Sequence, residues 1–233
     1  MVSNKIYISI IPARGGSKGI KKKNMYPVLG KPLLYWTLKS SLESKSISQT
    51  WVTSDDVEIL DFAKQNGANI IKRPQSLSKD FCTSESAWSH AIQYISKNGI
   101  NFTEVVGLQA TSPIRENNDI DKAILHFEKF RADSLFSGCP ITDHLLWKKN
   151  LNGKLVPINY NGGERKPRQK IIKKYLENGS IYIFNKDKFI KENIRLFGNI
   201  GIYEMNNYKS LQIDELSDVK FCEAVMKHFY NLG

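Results

Sequence analysis

The chain has 233 residues, of which 41% are hydrophobic and 24% charged, as is typical of one globular domain with a full core. No apolar run approaches the roughly twenty residues that span a bilayer, and the amino terminus has no signal-peptide pattern. We therefore expect a cytoplasmic protein that does not act at a membrane.

The 34 Lys and Arg residues against 23 Asp and Glu residues give a formal charge of +11, which favours an anionic partner. The sequence contains no helix-turn-helix, RNP-type or zinc module, so we expect no nucleic acid, although the charge alone leaves that alternative open. Cys82, Cys139 and Cys222 are odd in number and widely spaced, which predicts reduced structural thiols.

Residues 5–24, KIYISIIPARGGSKGIKKKN, begin with an apolar, β-branched run that predicts a buried first strand. The loop after this run combines backbone freedom with positive charge, supplied by Gly15, Gly16, Gly19, Arg14, Lys18 and Lys23. Such a loop can aim N–H groups at an anion and neutralise its charge. Its spacing fits neither a P-loop nor a dinucleotide fingerprint. The loop predicts a different polyphosphate site, unless it is merely a solvated turn.

Strands and helices alternate along the rest of the chain. We predict helices at 31–38, 56–65, 86–96 (capped by Thr83 or Ser84), 119–130 and 215–229, and strands at 50–55, 69–72, 102–108, 133–138 and 179–184. This alternation predicts an α/β fold, with helices in layers on both faces of a mostly parallel, Rossmann-like sheet. Ligands of such sheets bind beyond the carboxyl ends of the strands.

A polar cluster follows the predicted strand at 102–108. It contains Gln109, Thr111, Ser112 and Arg115, and it should lie on the same rim as the opening loop. That position favours binding, although Ser112 has the alternative of capping the next helix.

Residues 139–175 lack a core pattern, apart from a hairpin turn at Asn152-Gly153 and the basic run ERKPRQKIIKKY. A stretch of this length predicts an arm or lid. Near the end of the chain, Asp214 is a candidate metal ligand or, equally, the N-cap of the last helix.

An ordered set of motifs resembles the CMP-sialic acid synthetase (N-acylneuraminate cytidylyltransferase) family over nearly the whole chain. The set comprises IPARGGSKGIKKKN, GKPLL, VTSDDVEI, KRP, LQATSPIR, PRQ, NGSIYI and IDELSDVK. The chain looks most like the bacterial enzymes for nine-carbon acids, including legionaminic and pseudaminic acids. The related enzyme for the eight-carbon sugar Kdo typically has V-Q-G-D where this chain has residues 108–111, LQAT.

The resemblance implies a single cytidylyltransferase domain over residues 1–233, of the nucleotide-diphospho-sugar transferase type. CTP and a sialic-type acid would be the substrates, Mg²⁺ the cofactor, and CMP-sugar and pyrophosphate the products. Residues 140–178 would form an extended arm that reaches into the partner's site in a homodimer. Another nucleotide or sugar acid on the same fold remains the alternative.

The resemblance also implies residue roles. Nucleotide contacts would be made by Arg14, Gly15, Gly16, Ser17, Lys18, Lys23, Asn24, Arg73 and Ser84, and sugar-acid contacts by Gln109, Thr111, Ser112, Arg168 and Gln169. The catalytic set would be Arg14, Lys18, Lys23 and Asp214. Asp214 and Gln212 would bind the metal, but the family commonly has Asp at the position of Gln212, so a charge is lost there.

Overall fold

A seven-stranded sheet forms the centre of the protein in a computed structural model that describes residues 5–141, 145–163 and 167–230. The strands are β1 (Tyr7–Pro12), β2 (Pro27–Val28), β3 (Lys31–Pro32), β4 (Ile47–Ser54), β5 (Asn69–Lys72), β6 (Glu104–Leu108), β7 (Ser134–Ile141), β8 (Trp147–Lys149), β9 (Leu155–Pro157), β10 (Lys174–Asn185) and β11 (Ile200–Glu204). The helices are α1 (Leu33–Leu42), α2 (Val57–Gln65), α3 (Ser84–Lys97), α4 (Asp119–Lys129), α5 (Lys186–Glu192) and α6 (Leu216–Tyr230).

The strand order in the large sheet is β11-β7-β10-β6-β1-β4-β5. β10 runs antiparallel to both of its neighbours, and the other pairs are parallel, which confirms the predicted mostly parallel α/β sheet. None of the helices in the described ranges has the length and apolar character needed to cross a membrane.

β1 explains the three layers, because its side chains alternate between two apolar clusters. Tyr7 and Ile11 belong to the cluster that contains residues of α1, α2 and α4, whereas Ile8 and Ile10 belong to the cluster that contains residues of α3 and α5. A strand covered on both faces is apolar along nearly its whole length and not only at alternate positions. The apolar run in the sequence is the consequence, and its one polar residue, Ser9, is buried with its hydroxyl hydrogen-bonded to that of Ser41.

A third apolar cluster joins the two ends of the chain. Ile20 of the opening loop, Ile213 and Cys222 of α6 are all buried in it. The cluster holds the opening loop against residues 211–214, so candidate site residues 190 positions apart become neighbours. Cys222 is a core residue, as predicted.

Helix caps settle two alternatives that the sequence left open. The side chain of Thr83 accepts a hydrogen bond from the backbone N–H of Ser86, so Thr83 is the N-cap of α3. At the start of α6, the carboxylate of Asp218 accepts from the backbone N–H groups of Asp214 and Glu215. The Asp214 side chain does not cap α6, and it pairs with another residue described below.

The predicted arm begins as an extension of the sheet. Residues 174–177 of β10 pair with residues 138–141 of β7, and the hairpin β8-β9 follows β7 in the chain. Gly153 adopts a φ of 75° in the turn of this hairpin, which confirms the predicted turn. A 3-10 turn, Arg168–Lys170, precedes β10.

Candidate active site

A cavity of about 240 Å³ opens where β1, β5 and β6 end. These strands are parallel, so their carboxyl ends share the sheet edge at which binding is expected. Nine of the residues predicted from the sequence line this cavity, namely Arg14, Gly16, Ser17, Lys23, Asn24, Arg73, Ser84, Gln109 and Thr111. The opening loop and the polar cluster after β6 therefore belong to one site.

The opening loop is fixed by its own backbone and by β4. The amide of Asn24 donates to the carbonyl oxygen of Arg14 at 2.8 Å, and the backbone N–H of Gly15 donates to Asp55 Oδ1 at 3.1 Å. A Cβ on Gly15 would lie 2.6 Å from Asp56 Oδ2, so a side chain has no room there. The amide of Gly15 thus anchors the loop rather than making the predicted phosphate contact, whereas Gly16 and Ser17 line the cavity.

Arg73 brings a buried positive charge to the cavity wall. Its side chain is held by a hydrogen bond from Nε to Ser78 Oγ at 2.9 Å, and the residue is buried. Burial lowers the pKa of Arg73, but a guanidinium remains charged at neutral pH. No carboxylate in the described ranges forms an ion pair with it. Asp55 stabilises this charge only at longer range, and a buried cation that lacks a direct ion pair favours an anionic ligand.

The amino terminus of α3 adds to the positive potential. Thr83 and Ser84 line the cavity at the start of this 14-residue helix. The first N–H groups of a helix are not used within it, and the helix dipole places partial positive charge at this end. A helix start beside Arg73 is therefore suited to phosphate.

Lys23 connects the cavity with the end of the chain. Its Nζ donates to the carbonyl oxygen of Ile213 at 3.0 Å and to Asp214 Oδ1 at 2.8 Å. The backbone of the opening loop also lies close to this segment at Gly19, because a Cβ on Gly19 would lie 2.2 Å from the carbonyl oxygen of Asp214. Lys23 and Asp214, both predicted as catalytic residues, are thus brought together.

The two predicted metal ligands do not form a ready-made metal centre. Gln212 Nε2 donates to the carbonyl oxygen of Asn178 at 3.0 Å, and Asp214 is paired with Lys23. Within the described ranges, no group of three His, Cys, Asp or Glu residues is arranged to hold an ion. Mg²⁺ is commonly held by one or two carboxylates together with substrate phosphates and water. The residues fit an ion that arrives with a triphosphate and meets Asp214.

The predicted sugar-acid residues are divided by the structure. Gln109 and Thr111 line the cavity, but Ser112 is buried and its hydroxyl donates to the carbonyl oxygen of Asn178 at 3.1 Å. Gln169 is exposed in the 3-10 turn of the arm and is not among the residues that line the cavity. The side chain of Arg168 lies outside the described residues. The roles of Gln169 and Arg168 stay predictions.

One wall of the cavity was missed by sequence reasoning. It comes from residues 75–83, which we call the cover segment, and its contributors are Leu77, Ser78, Lys79, Cys82 and Thr83. The sequence reads as a polar linker there. The position of the cover segment could have indicated its role, because the Arg73-Pro74 pair before it and the cap of α3 after it both lie at the binding edge of the sheet.

Lys18, predicted to bind phosphate, does not line the cavity. Its side chain is 81% exposed, and its Nζ lies 3.0 Å from Asp80 Oδ2 in the cover segment. Arg14 Nη1 lies 3.0 Å from the other oxygen of the same carboxylate. Asp80 therefore joins the opening loop to the cover segment.

Comparison with known proteins gives the family. A sequence model described as cytidylyltransferase matches residues 8–231. N-acylneuraminate cytidylyltransferase A of Danio rerio is 32% identical over 229 residues, which cover 97% of this chain and 52% of that protein. The pseudaminic acid cytidylyltransferase of Campylobacter jejuni is 27% identical, covering 94% of this chain and 96% of that protein. The chain thus spans about half the length of the first relative and nearly all of the second.

Solved structures agree on the fold. A CMP:2-keto-3-deoxy-manno-octonic acid synthetase complexed with CTP has a TM-score of 0.69 and 15% identity, covering 96% of this chain and 99% of that one. A 4-diphosphocytidyl-2C-methyl-D-erythritol synthase has a TM-score of 0.68 and 11% identity, covering 96% and 100%. The family model spans nearly every residue from β1 to α6, and the motif resemblance is confirmed: this chain belongs to the cytidylyltransferase family.

Proposed function

We propose that this protein transfers CMP from CTP to the anomeric hydroxyl of a nine-carbon, sialic-type sugar acid and releases pyrophosphate. The observation that carries the proposal is the convergence of Arg14, Lys23, Arg73 and the start of α3 on one cavity. The curated relatives that act on N-acylneuraminate and pseudaminic acid support this substrate class.

The cations have a clear task in this reaction. A bond forms between the sugar oxygen and the α-phosphorus, the hydroxyl proton passes to water, and the bond from the α-phosphorus to the oxygen bridging the α- and β-phosphates breaks, so negative charge shifts onto pyrophosphate. Arg14, Lys23 and Arg73 would neutralise that charge. Gln109 and Thr111, which follow β6 at the same sheet edge, would orient the acceptor sugar.

Mg²⁺ belongs to the proposal as an ion carried by the triphosphate. It would supply further neutralisation of the phosphate charges when bound. Asp214 is the carboxylate that would meet it, and its Oδ1 lies 2.8 Å from the Nζ of Lys23, which lines the cavity. Gln212 would act instead by holding the backbone at Asn178.

The test is pyrophosphate release with CTP, Mg²⁺ and three acids in parallel: N-acetylneuraminic, legionaminic and pseudaminic acid. We expect turnover with CTP and one of these acids, and far slower turnover when ATP, GTP or UTP replaces CTP. A protein that binds CTP but releases no pyrophosphate with any of the three acids would contradict the proposal. Turnover with Kdo alone would move the substrate to the eight-carbon acid.

We further propose that the protein works in the cytoplasm as a homodimer built through the arm. The arm carries many exposed apolar side chains, including Leu146, Trp147, Leu151, Leu155, Ile158 and Ile172. Apolar surface of this kind is typical of an interface. Sedimentation equilibrium should give twice the chain mass of 26.6 kDa, and a monomer at micromolar concentration would refute the dimer.

The three free cysteines suit a reducing compartment, which supports the proposed cytoplasmic location.

A further inference from the structure

The carboxylate of Asp80 occupies the cations that the nucleotide would use. Arg14 Nη1 lies 3.0 Å from one carboxylate oxygen, and Lys18 Nζ lies 3.0 Å from the other. Two oxygens of a phosphate group would pair with these two side chains in the same manner. Asp80 thus places on the opening loop a carboxylate, an anionic group that resembles the phosphate expected to bind there.

Asp80 also fixes one wall of the cavity. It belongs to the cover segment, in which Ser78, Lys79 and Cys82 line the cavity. Ser78 accepts the hydrogen bond from Arg73, so the segment is tied both to a buried cation and to the exposed cations of the opening loop. Release of Asp80 would break the ion pairs with Arg14 and Lys18 and leave the hydrogen bond between Arg73 and Ser78 in place.

The ion pairs of Asp80 are of a kind that a ligand can break. The Asp80 side chain is 48% exposed, and that of Lys18 is 81% exposed. Exposed ion pairs are screened by water and contribute little individually. The hydrogen bond from Lys18 holds the pKa of Asp80 below its usual range, so the carboxylate is charged at neutral pH and competes with other anions.

We propose that Asp80 is an internal competitor of the triphosphate. It pairs with Arg14 and Lys18 while the nucleotide is absent, the incoming triphosphate displaces it, and its return helps to expel pyrophosphate. The proposal rests on the proposed function, because that function assigns Arg14 to phosphate, as the family resemblance does for Lys18. Asp80 then acts on the affinity for nucleotide and pyrophosphate rather than on the chemical step.

The experiment is calorimetric titration of the Asp80→Asn variant with inorganic pyrophosphate and, separately, with CTP, at one fixed ionic strength. Asparagine keeps the size of the side chain and removes its charge. We expect the Kd for both ligands to fall by between about two- and tenfold, the range that two exposed ion pairs allow. Asp61→Asn, on the exposed side of α2, changes the net charge equally and should leave both values within about 1.5-fold of the wild type.

Two results of these titrations would overturn the proposal that Asp80 competes with the triphosphate. An unchanged or raised Kd in Asp80→Asn overturns the proposal, and a raised value would mean that Asp80 only anchors the cover segment. An equal gain in Asp61→Asn would also overturn it, because net charge alone would then explain the effect. In an Arg14→Gln background, the gain from Asp80→Asn should shrink. If CTP binds but no acid is turned over, the proposed function fails while these titrations still decide the role of Asp80.

Discussion

Replacing Lys23 with methionine is expected to lower turnover at saturating CTP and sugar acid by at least about a hundredfold, the usual effect of losing one preorganised donor at a developing charge. Methionine keeps an unbranched stem of similar length and removes the ammonium group. Lys23 lines the cavity, its side chain is only 14% exposed, and it forms an ion pair with Asp214. The variant therefore loses a phosphate cation and the group that positions the carboxylate together.

Lys22→Met is the matched control for this prediction. Lys22 is the preceding residue of the same loop, but its side chain points to solvent, where it pairs with Glu58 of α2. We expect its turnover to stay within about twofold of the wild type, since exposed ion pairs contribute little. The initial rates of pyrophosphate release by Lys23→Met and Lys22→Met are compared with the wild-type rate. Equal losses in the two variants would mean that only the net charge of the loop matters.

Unfolding separates this functional loss from a structural one. The side chain of Asp214 is 67% exposed, so its carboxylate stays hydrated when Lys23 is removed. We expect the free energy of unfolding of Lys23→Met to change by less than about 1 kcal/mol. A much larger drop would show that Lys23 is needed mainly to hold residues 213 and 214 against the opening loop.

The sequence predicted those parts of the fold that have a strong local signal. The nearly continuous apolar run of β1, the capping residue Thr83 and the positive-φ glycine at 153 each leave a pattern that physical rules can read. In the same way, the opening loop was predictable because glycines and cations are concentrated within ten residues.

Other elements leave only a weak local pattern. α5 has just seven residues, and β11 is a partly exposed strand at the sheet edge, so neither shows a clear periodicity, and neither was predicted. The antiparallel direction of β10 follows from packing of the whole sheet. For the site, the burial of Ser112 and the contact between Gln212 and Asn178 depend on residues at least 34 positions apart.

The same distant contacts make Gly179 the second position with a large expected effect. Gly179 has a φ of 68°, and a Cβ there would lie 2.7 Å from Gln109 Oε1 and 3.0 Å from Gln212 Nε2. The turn has little freedom to move, because the preceding Asn178 is fully buried and accepts hydrogen bonds from Ser112 and Gln212. In Gly179→Ala, the amide end of the Gln109 side chain must therefore shift from its position at the cavity.

We expect Gly179→Ala to raise the KM for the sugar acid at least about tenfold, the cost of losing a hydrogen-bonding group, and to leave the Kd for CTP within about twofold. The free energy of unfolding should fall by about 1–3 kcal/mol, from left-handed backbone strain and the close contacts. Steady-state kinetics, calorimetry and chemical denaturation measure the three quantities.

Gly99→Ala separates backbone strain from steric contact. Gly99 has a similar φ of 75°, but a Cβ there would have no atom within 4 Å. This variant should lose about 1 kcal/mol of stability and keep the KM for the sugar acid. If Gly179→Ala behaves like Gly99→Ala, Gln109 does not need its present position, and the acceptor sugar is oriented by other residues. If only Gly179→Ala loses the sugar acid, the contact between β10 and the end of β6 shapes the acceptor side of the cavity.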